Sequence, residues 1–504
     1  MVSLFSPVLW SLFLYLLCGA VHCGKHQHHK RTNQLPNRTV IVQLFEWKWL
    51  DIAEECERFL GPKGYGGVQT SPASDNLIIH LSDGTRPWYE RYQVMSYRLQ
   101  TRSGSEEDFL NMTTRCNRVG VRIYVDVVVN HMTGNHETNE GTAGSTANFA
   151  MNSYPAVPYT DENFHHPDCD INNYDNATEV HDCKLVGLKD LNQTMPYVQQ
   201  KIAGYLNKLV SLGVAGFRVD AAKHMWPEDL KKIYNSVNDL NTNFGFLPGS
   251  RPYVYQEVTQ GGAVTSFQYK DLGDVTEFTA VSVLYEIFNG QKPLNSLFAW
   301  GNASWNMLPS ENALVFADNH DTQRSYGSLN YKYGSKYQAA VAFLLAHRYG
   351  QARIISSYLF DLNDQGPPSD SNENIQSPVI NQDGSCSGGW VCEHRWSSTY
   401  GMVGFRNTVH GTNVKNWWDN GHNQIAFSRG HKGFIAINID SSEMSVTLQT
   451  GLPAGTYCDI RSGQANGNSC SGKTVTVSDQ GLAQVNISGT GDDLYLAIHI
   501  GKQV

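Results

Sequence analysis

GVAGFRVDAAKH, residues 213–224, decides how the chain is read. Val214 to Val219 form an apolar run that carries one arginine and closes on an aspartate. Read as a strand, the run sends Arg218 and Asp220 to the same face, because strand side chains alternate with period two. Seven other β-branched runs share its character: TVIVQLFEW (39–47), YGGVQTSP (65–72), VRIYVDVVVNH (121–131), PYVYQEV (252–258), DVTEFTA (274–280), ALVFAD (313–318) and ARIISSY (352–358). Amphipathic helical patterns separate several of them. Ser105 and Asp108 stand in capping-box spacing ahead of one, which closes on Gly120. Pro196 opens another and Gly213 ends it. Strands alternating with helices imply a parallel sheet, and eight repeats imply a closed (β/α)8 barrel, an α/β fold of the TIM-barrel class. An open doubly wound sheet is the competing architecture, but no glycine-rich nucleotide fingerprint supports it.

Two segments break the repeat. Residues 131–195 form a polar insertion after the third strand, long enough to hold structure of its own. From 424 to 504 the runs FIAINI, SVTLQT, KTVTVS and LYLAIHI alternate between Gly, Ser and Asn turns, as in an antiparallel β-sandwich. The barrel is therefore expected from 39–130 and 196–423, the inserted domain from 131–195 and the β domain from 424–504.

The 504 residues are 40% hydrophobic and 17% charged, with a net charge of −9 and no long basic run. That balance suits a globular chain and argues against nucleic-acid or membrane partners. Residues 1–20 read as a secretory signal peptide, although no positive charge precedes the apolar stretch. Residues 21–38 follow as a leader; a propeptide cut after Lys30-Arg31 and a plain mature terminus both stay open. Beyond Cys18 and Cys23, eight cysteines remain and no CxxC pair occurs, which favours disulfides over zinc in an exported protein. Six Asn-x-Ser/Thr sequons, at Asn37, Asn111, Asn176, Asn192, Asn302 and Asn486, agree with secretion.

In a barrel of this class the chemistry lies where the strands end. The third ends on Asp126, Asn130 and His131; the fourth on Asp220, with Lys223 and His224 beyond; the fifth on Glu257; the seventh on Asp318, Asn319, His320 and Asp321. Any one such acid reads more simply as a helix cap or an ion-pair partner. Three acids from three strand ends, Asp220, Glu257 and Asp321, point instead to glycosidic bond cleavage, which needs one protonated and one ionised carboxyl group.

DVVVNH, GFRVDAAKH, YQEV and FADNHD resemble, in order and spacing, the four sequence regions of the alpha-amylase family of glycoside hydrolases. VQLFEWKW, GYGGVQTSP and WWDNGHNQIAF are similar to its animal, chloride-dependent members almost word for word. The resemblance implies Asp220 as nucleophile, Glu257 as general acid/base and Asp321 as a supporting acid. It implies endo-hydrolysis of α-1,4-glucosidic bonds in starch, glycogen and malto-oligosaccharides, with retention of configuration, by a secreted monomer. His131, His224 and His320 correspond to sugar-binding histidines and Lys223 to a subsite lysine. Trp88, Tyr89 and Tyr92 resemble an aromatic platform, with Tyr89 where the family usually has a second Trp, and Tyr174 a sugar-contacting tyrosine of the insertion.

Two ions are implied as well. A structural Ca2+ would take the side chains of Asn130 and Asp190 and the backbone carbonyls of His181 and His224. A Cl− activator would lie on Arg218, Asn319 and Arg353, where a fixed anion would favour the protonated form of Glu257. Pairing of the two arginines with acids such as Asp126 is the competing account. The resemblance also implies the disulfides Cys56–Cys116, Cys169–Cys183, Cys386–Cys392 and Cys458–Cys470. The chain departs from vertebrate members after Asp321, where DTQRSYGSLNYKYGSKY replaces a glycine-rich mobile loop. Oligosaccharide transfer on the same scaffold and a catalytically dead binding barrel are the rival functions; retention of all three acids disfavours the second.

Overall fold

The computed structural model describes residues 29–504; the expected signal peptide, residues 21–28 of the leader, and Cys18 and Cys23 lie outside the described residues. Eight parallel strands form the barrel: β1 (Val40–Leu44), β2 (Gly67–Thr70), β3 (Arg122–Val127), β4 (Gly216–Val219), β5 (Tyr253–Gln256), β6 (Asp274–Thr276), β7 (Ala313–Val315) and β8 (Gln351–Ser356). Pairing of β8 with β1, from Val40↔Ala352 to Leu44↔Ser356, closes it. All eight expected runs contribute a strand. DVTEFTA does so only over its first three residues, because the Glu277 carboxylate accepts the Thr279 N–H at 3.0 Å and starts a helix there.

The barrel interior is filled in layers. Register places Tyr124 opposite Gly216 and Gly216 opposite Tyr253; one layer up, Asp126 faces Arg218 and Arg218 faces Tyr255. Tyr124, Tyr253 and Tyr255 pack ring against ring at 5.4–6.3 Å between centroids. Glycine makes room for them: a Cβ on Gly216 would come within 2.1 Å of the Tyr253 carbonyl oxygen, and one on Gly67 within 2.4 Å of the Tyr124 ring.

The described α-helices are α1 (Trp49–Glu55), α2 (Glu106–Arg118), α3 (Ala177–Asp182), α4 (Pro196–Ser211), α5 (Pro227–Asn235), α6 (Phe278–Phe288), α7 (Ser335–Ala346) and α8 (Ser397–Val409). Ser105 and Asp108 form the expected capping box on α2. Residues 29–38 run across the foot of the barrel. There the His29 carbonyl accepts the Val254 N–H at 2.9 Å, and Arg122 Nε donates to the Asn33 carbonyl at 2.9 Å.

The 131–195 insertion leaves and rejoins the barrel through one neck, where His131 bridges Asp190 and the Leu191 N–H donates to the Asn130 carbonyl at 3.0 Å. Beyond β8, a short hairpin of β9 (Val379–Ile380) and β10 (Cys386–Ser387) precedes the C-terminal sheet. That sheet holds β11 (Val414–Asp419), β12 (Gln424–Arg429) and β13 (Gly433–Asn438), so it starts ahead of residue 424. Its fourth strand is the final one, Tyr495–His499. β12 and β13 are buried throughout because both faces are covered. Ile425, Phe427, Ile435 and Ile437 belong to the barrel's core, while Ala426, Phe434 and Ala436 belong to that of the β domain. One sheet is thus a wall shared by two cores. The four disulfides are the pairs that the resemblance implied. Among the described residues no helix is long and apolar enough to cross a membrane.

Candidate active site

Period-two alternation sets the site in tiers. Asp126 and Arg218 point inward from β3 and β4, and Asp220 and Glu257 stand just past the ends of β4 and β5. The last β4–β5 pair in register is Val219↔Gln256, so Asp220 and Glu257 follow as neighbours on adjacent strands. Arg218 is buried beneath them. Its Nη1 donates to Asp126 Oδ1 at 2.6 Å, to Asp126 Oδ2 at 2.8 Å and to Asp220 Oδ1 at 2.7 Å. Its Nη2 lies 2.8 Å from Glu257 Oε1 but out of line for a hydrogen bond. One guanidinium therefore faces three carboxyl groups.

Burial pushes Asp220 well above the usual carboxylate range, and Arg218 opposes that shift. Asp126 is raised for the same reason. Too few cations face too many acids for all to ionise at once, which is the condition for a site that must carry both an acid and a base. Glu257 Oε2 accepts the Ala221 N–H at 2.8 Å. Ala221 holds φ at +47°, a left-handed conformation that costs an alanine on the order of 1 kcal/mol. The turn after β4 thus accepts strain and presents its N–H to the neighbouring acid.

In FADNHD the residues divide. Asp318 turns away from the mouth, to Tyr337 Oη at 2.9 Å and Gln323 Nε2 at 2.8 Å, and burial raises its pKa to about 8. Asn319 Oδ1 accepts the N–H groups of Asp321 at 3.0 Å and Thr322 at 2.7 Å, which leaves its Nδ2 donor for another partner. Asp321 stands at the rim with its side chain 41% exposed, 3.3 Å from His320 Nε2.

The three histidines are buried and already bonded. His131 Nε2 lies 3.2 Å from the Tyr92 carbonyl oxygen, His224 Nδ1 3.0 Å from that of Val180, and His320 Nδ1 3.0 Å from Gln43 Nε2. Desolvation lowers His131 and His224 to about 4, so both are neutral at physiological pH. Trp88 packs edge-on to Tyr89, Tyr92 and His320 at 5.5–6.0 Å, and Tyr92 stacks on His320 at 5.2 Å. Tyr92 Oη donates to Asp126 Oδ2 at 3.0 Å, which ties this cluster to the acids. Tyr174 comes from the insertion and is 42% exposed. Lys223 Nζ lies 5.4 Å from its ring centre and donates to the carbonyls of Thr259 and Gly261 at 3.1 and 2.8 Å. Lys223 thus fastens the loop after β5.

The residues fit both implied ions. Asn130 Oδ1 and Asp190 Oδ1 are buried oxygens with no partner among the described residues, and burial raises Asp190 to about 7. Orphaned oxygens from the barrel and the insertion at one neck suit a hard cation. Among the described residues no group of three or more His, Cys, Asp or Glu side chains is placed to hold a metal ion, so such a site must draw on Asn and backbone oxygens. Arg353, inward on β8, donates to Gln69 Oε1 at 2.9 Å, while its Nε and Nη2, like Nε and Nη2 of Arg218, have no aligned acceptor. Nε and Nη2 of Arg353 and Nε of Arg218, buried and without an aligned acceptor, suit an anion. The competing account holds for Arg218, which does pair with Asp126, but not for Arg353, whose nearest acceptor is neutral.

Sequence reasoning passed over three supporting residues. Gln69 holds both Arg353 and Tyr255 Oη, the latter at 2.9 Å; its place in VQTSP and the period-two rule could have found it. His165 Nδ1 meets Asp190 Oδ2 at 2.6 Å, and Arg324 Nη1 donates to the His320 carbonyl at 2.6 Å. No local pattern announces either.

Residues 71–355 match the family described as alpha amylase, catalytic domain, and residues 416–501 that described as alpha amylase, C-terminal all-beta domain. The chain is 53% identical over 472 residues to an alpha-amylase of Tribolium castaneum, covering 93% of this chain and 95% of that one. It is 52% identical over 479 residues to an alpha-amylase of Tenebrio molitor, covering 94% and 100%. Among solved structures, it is similar to a mutant of alpha-amylase I from Eisenia fetida in complex with maltohexaose. The TM-score is 0.87 at 41% identity, covering 93% of this chain and 98% of that one.

Proposed function

The chain belongs to the animal-type alpha-amylase family of glycoside hydrolases, and on that premise we propose that it is a secreted, endo-acting alpha-amylase. Its substrates are starch, glycogen and malto-oligosaccharides, and it cleaves α-1,4-glucosidic bonds with retention of configuration. The observation that carries this reading is the juxtaposition of Asp220 and Glu257 above Arg218. Neighbouring strands lie about 4.8 Å apart, and a retaining pair needs carboxyl groups about 5–5.5 Å apart, without room for an intervening water.

In the proposed reaction Glu257 gives its proton to the glycosidic oxygen while Asp220 Oδ attacks the anomeric carbon and the bond to the leaving sugar breaks. Glu257 then takes a proton from water, which displaces Asp220 from the sugar. Asp321 steadies the positive charge on the ring at the rim. Trp88, Tyr89, Tyr92 and Tyr174 offer apolar faces to glucose rings, and His131, His224 and His320 line the cleft beside them. Lys223 serves by holding the loop after β5 in place.

Asn130 and Asp190, with the carbonyls of His181 and His224, would hold Ca2+, which supplies a rigid link between barrel and insertion. Arg218, Asn319 and Arg353 would hold Cl−, whose charge favours the proton on Glu257. The catalytic assignment is tested by Glu257→Gln: starch cleavage should fall by about 10²–10⁴-fold with the fold unchanged by circular dichroism. Undiminished cleavage overturns it.

A further inference from the structure

A cleft of about 640 Å3 lies at the foot of the barrel, on the face opposite the acids. Thr39, just before β1, and Gly350 and Gln351, at the start of β8, form one wall; the turn after α8 and the end of β12 form the other. Four arginines line it, Arg38, Arg348, Arg406 and Arg429, and no aspartate or glutamate does. Their hydrogen bonds go to neutral oxygens. Arg38 reaches the Tyr65 carbonyl and Arg348 the Asn413 amide. Arg406 and Arg429 reach carbonyls around the C-terminus of α7, among them those of His347 and Ala346.

Carbonyls at a helix end bring only partial negative charge, so the four cations remain uncompensated. Burial lowers Arg406 to about 9 and Arg429 to about 10, and the next cause in each case is another arginine of the set. Burial, followed by Arg429, Arg406 and Arg348, drives His347 down to about 3. The chain ahead of the described residues brings no carboxylate side chain, because the first acid in the sequence is Glu46. Arg406 and Arg429 are buried behind the wall, whereas Arg348 is exposed and Arg38 half-buried.

We propose that this cleft binds a dianionic tetrahedral oxyanion, a phosphate or sulfate group, gripped by the forks of Arg38 and Arg348 over the buried charge of Arg406 and Arg429. Guanidinium forks match such oxygens bidentately.

Isothermal titration of the full chain at constant ionic strength, in buffer that holds saturating chloride, tests this, with inorganic phosphate, inorganic sulfate and glucose 6-phosphate as titrants. Saturable binding of phosphate and sulfate is expected. Binding of glucose 6-phosphate as well assigns the cleft to monoesters; binding of the free ions alone assigns it to inorganic oxyanions. Arg348→Gln and Arg38→Gln should each weaken phosphate by about tenfold or more, as loss of a charge-assisted bond implies, while starch cleavage is unchanged. Absence of saturable phosphate heats, or wild-type phosphate affinity in both variants, overturns the proposal.

Discussion

Arg218 and Arg353 are both buried and both inward, yet their surroundings are opposite. Arg218 has three carboxyl groups within 2.8 Å. Arg353 has Gln69 and the Phe316 ring at 4.3 Å, and burial lowers its pKa to about 10. A buried cation without a counter-ion is costly, and a bound anion offsets that cost. Starch cleavage assayed in chloride-free buffer at neutral pH should therefore rise saturably with added chloride. Arg353→Gln should make the response flat, and a flat response in the wild type rejects the anion site. The pairing of Arg218 with Asp220 on one face was legible from spacing two apart. That Asp126 and Glu257 share the same guanidinium was not, because it depends on how three strands stand in register.

The strands β5 and β6 meet at a second buried acid. Asp274 Oδ2 accepts from Tyr253 Oη at 2.6 Å, its Oδ1 has no partner among the described residues, and burial raises its pKa from 3.8 to about 7. A carboxyl group whose pKa is higher folded than unfolded holds its proton more tightly in the native state. Its ionisation therefore costs stability progressively as pH rises from about 4, and the cost is complete above about 7. Asp274→Asn, which keeps an acceptor for Tyr253, should match the wild type in melting temperature near pH 4 and exceed it by a few degrees at pH 8. Equal melting temperatures at both pH values would show that the group does not titrate this way. Strand existence was read correctly at all eight positions, since β-branched runs bounded by turns report it locally. The early end of DVTEFTA was missed because Glu277 caps a helix whose first turn, FTAV, is equally apolar.

The insertion and the barrel meet at the neck formed by Asn130, His131, Asp190 and Leu191, and a cation there would add a cross-link to contacts such as the Ile78 N–H to the Glu140 carbonyl and Trp226 Nε1 to Asp182 Oδ1. Chelation with EGTA should lower the melting temperature and the activity together, and added Ca2+ should restore both. Asp190→Asn should need more Ca2+ for the same recovery; unchanged melting and activity on chelation would make the calcium assignment wrong. At this scale the sequence by itself determined the eight strand runs with helices between several of them, the polar insertion, the β domain and the acids at the strand ends. Each of these is written in local periodicity and in residue types at fixed spacing. Only the tertiary structure decided that β12 and β13 serve two cores, that Lys223 fastens the β5 loop, and that Arg353 has no ion-pair partner among the described residues. It also decided that four arginines far apart in sequence line one cleft at the barrel's foot. Such facts depend on which distant side chains become neighbours when the barrel closes, and on how burial then sets charges against one another.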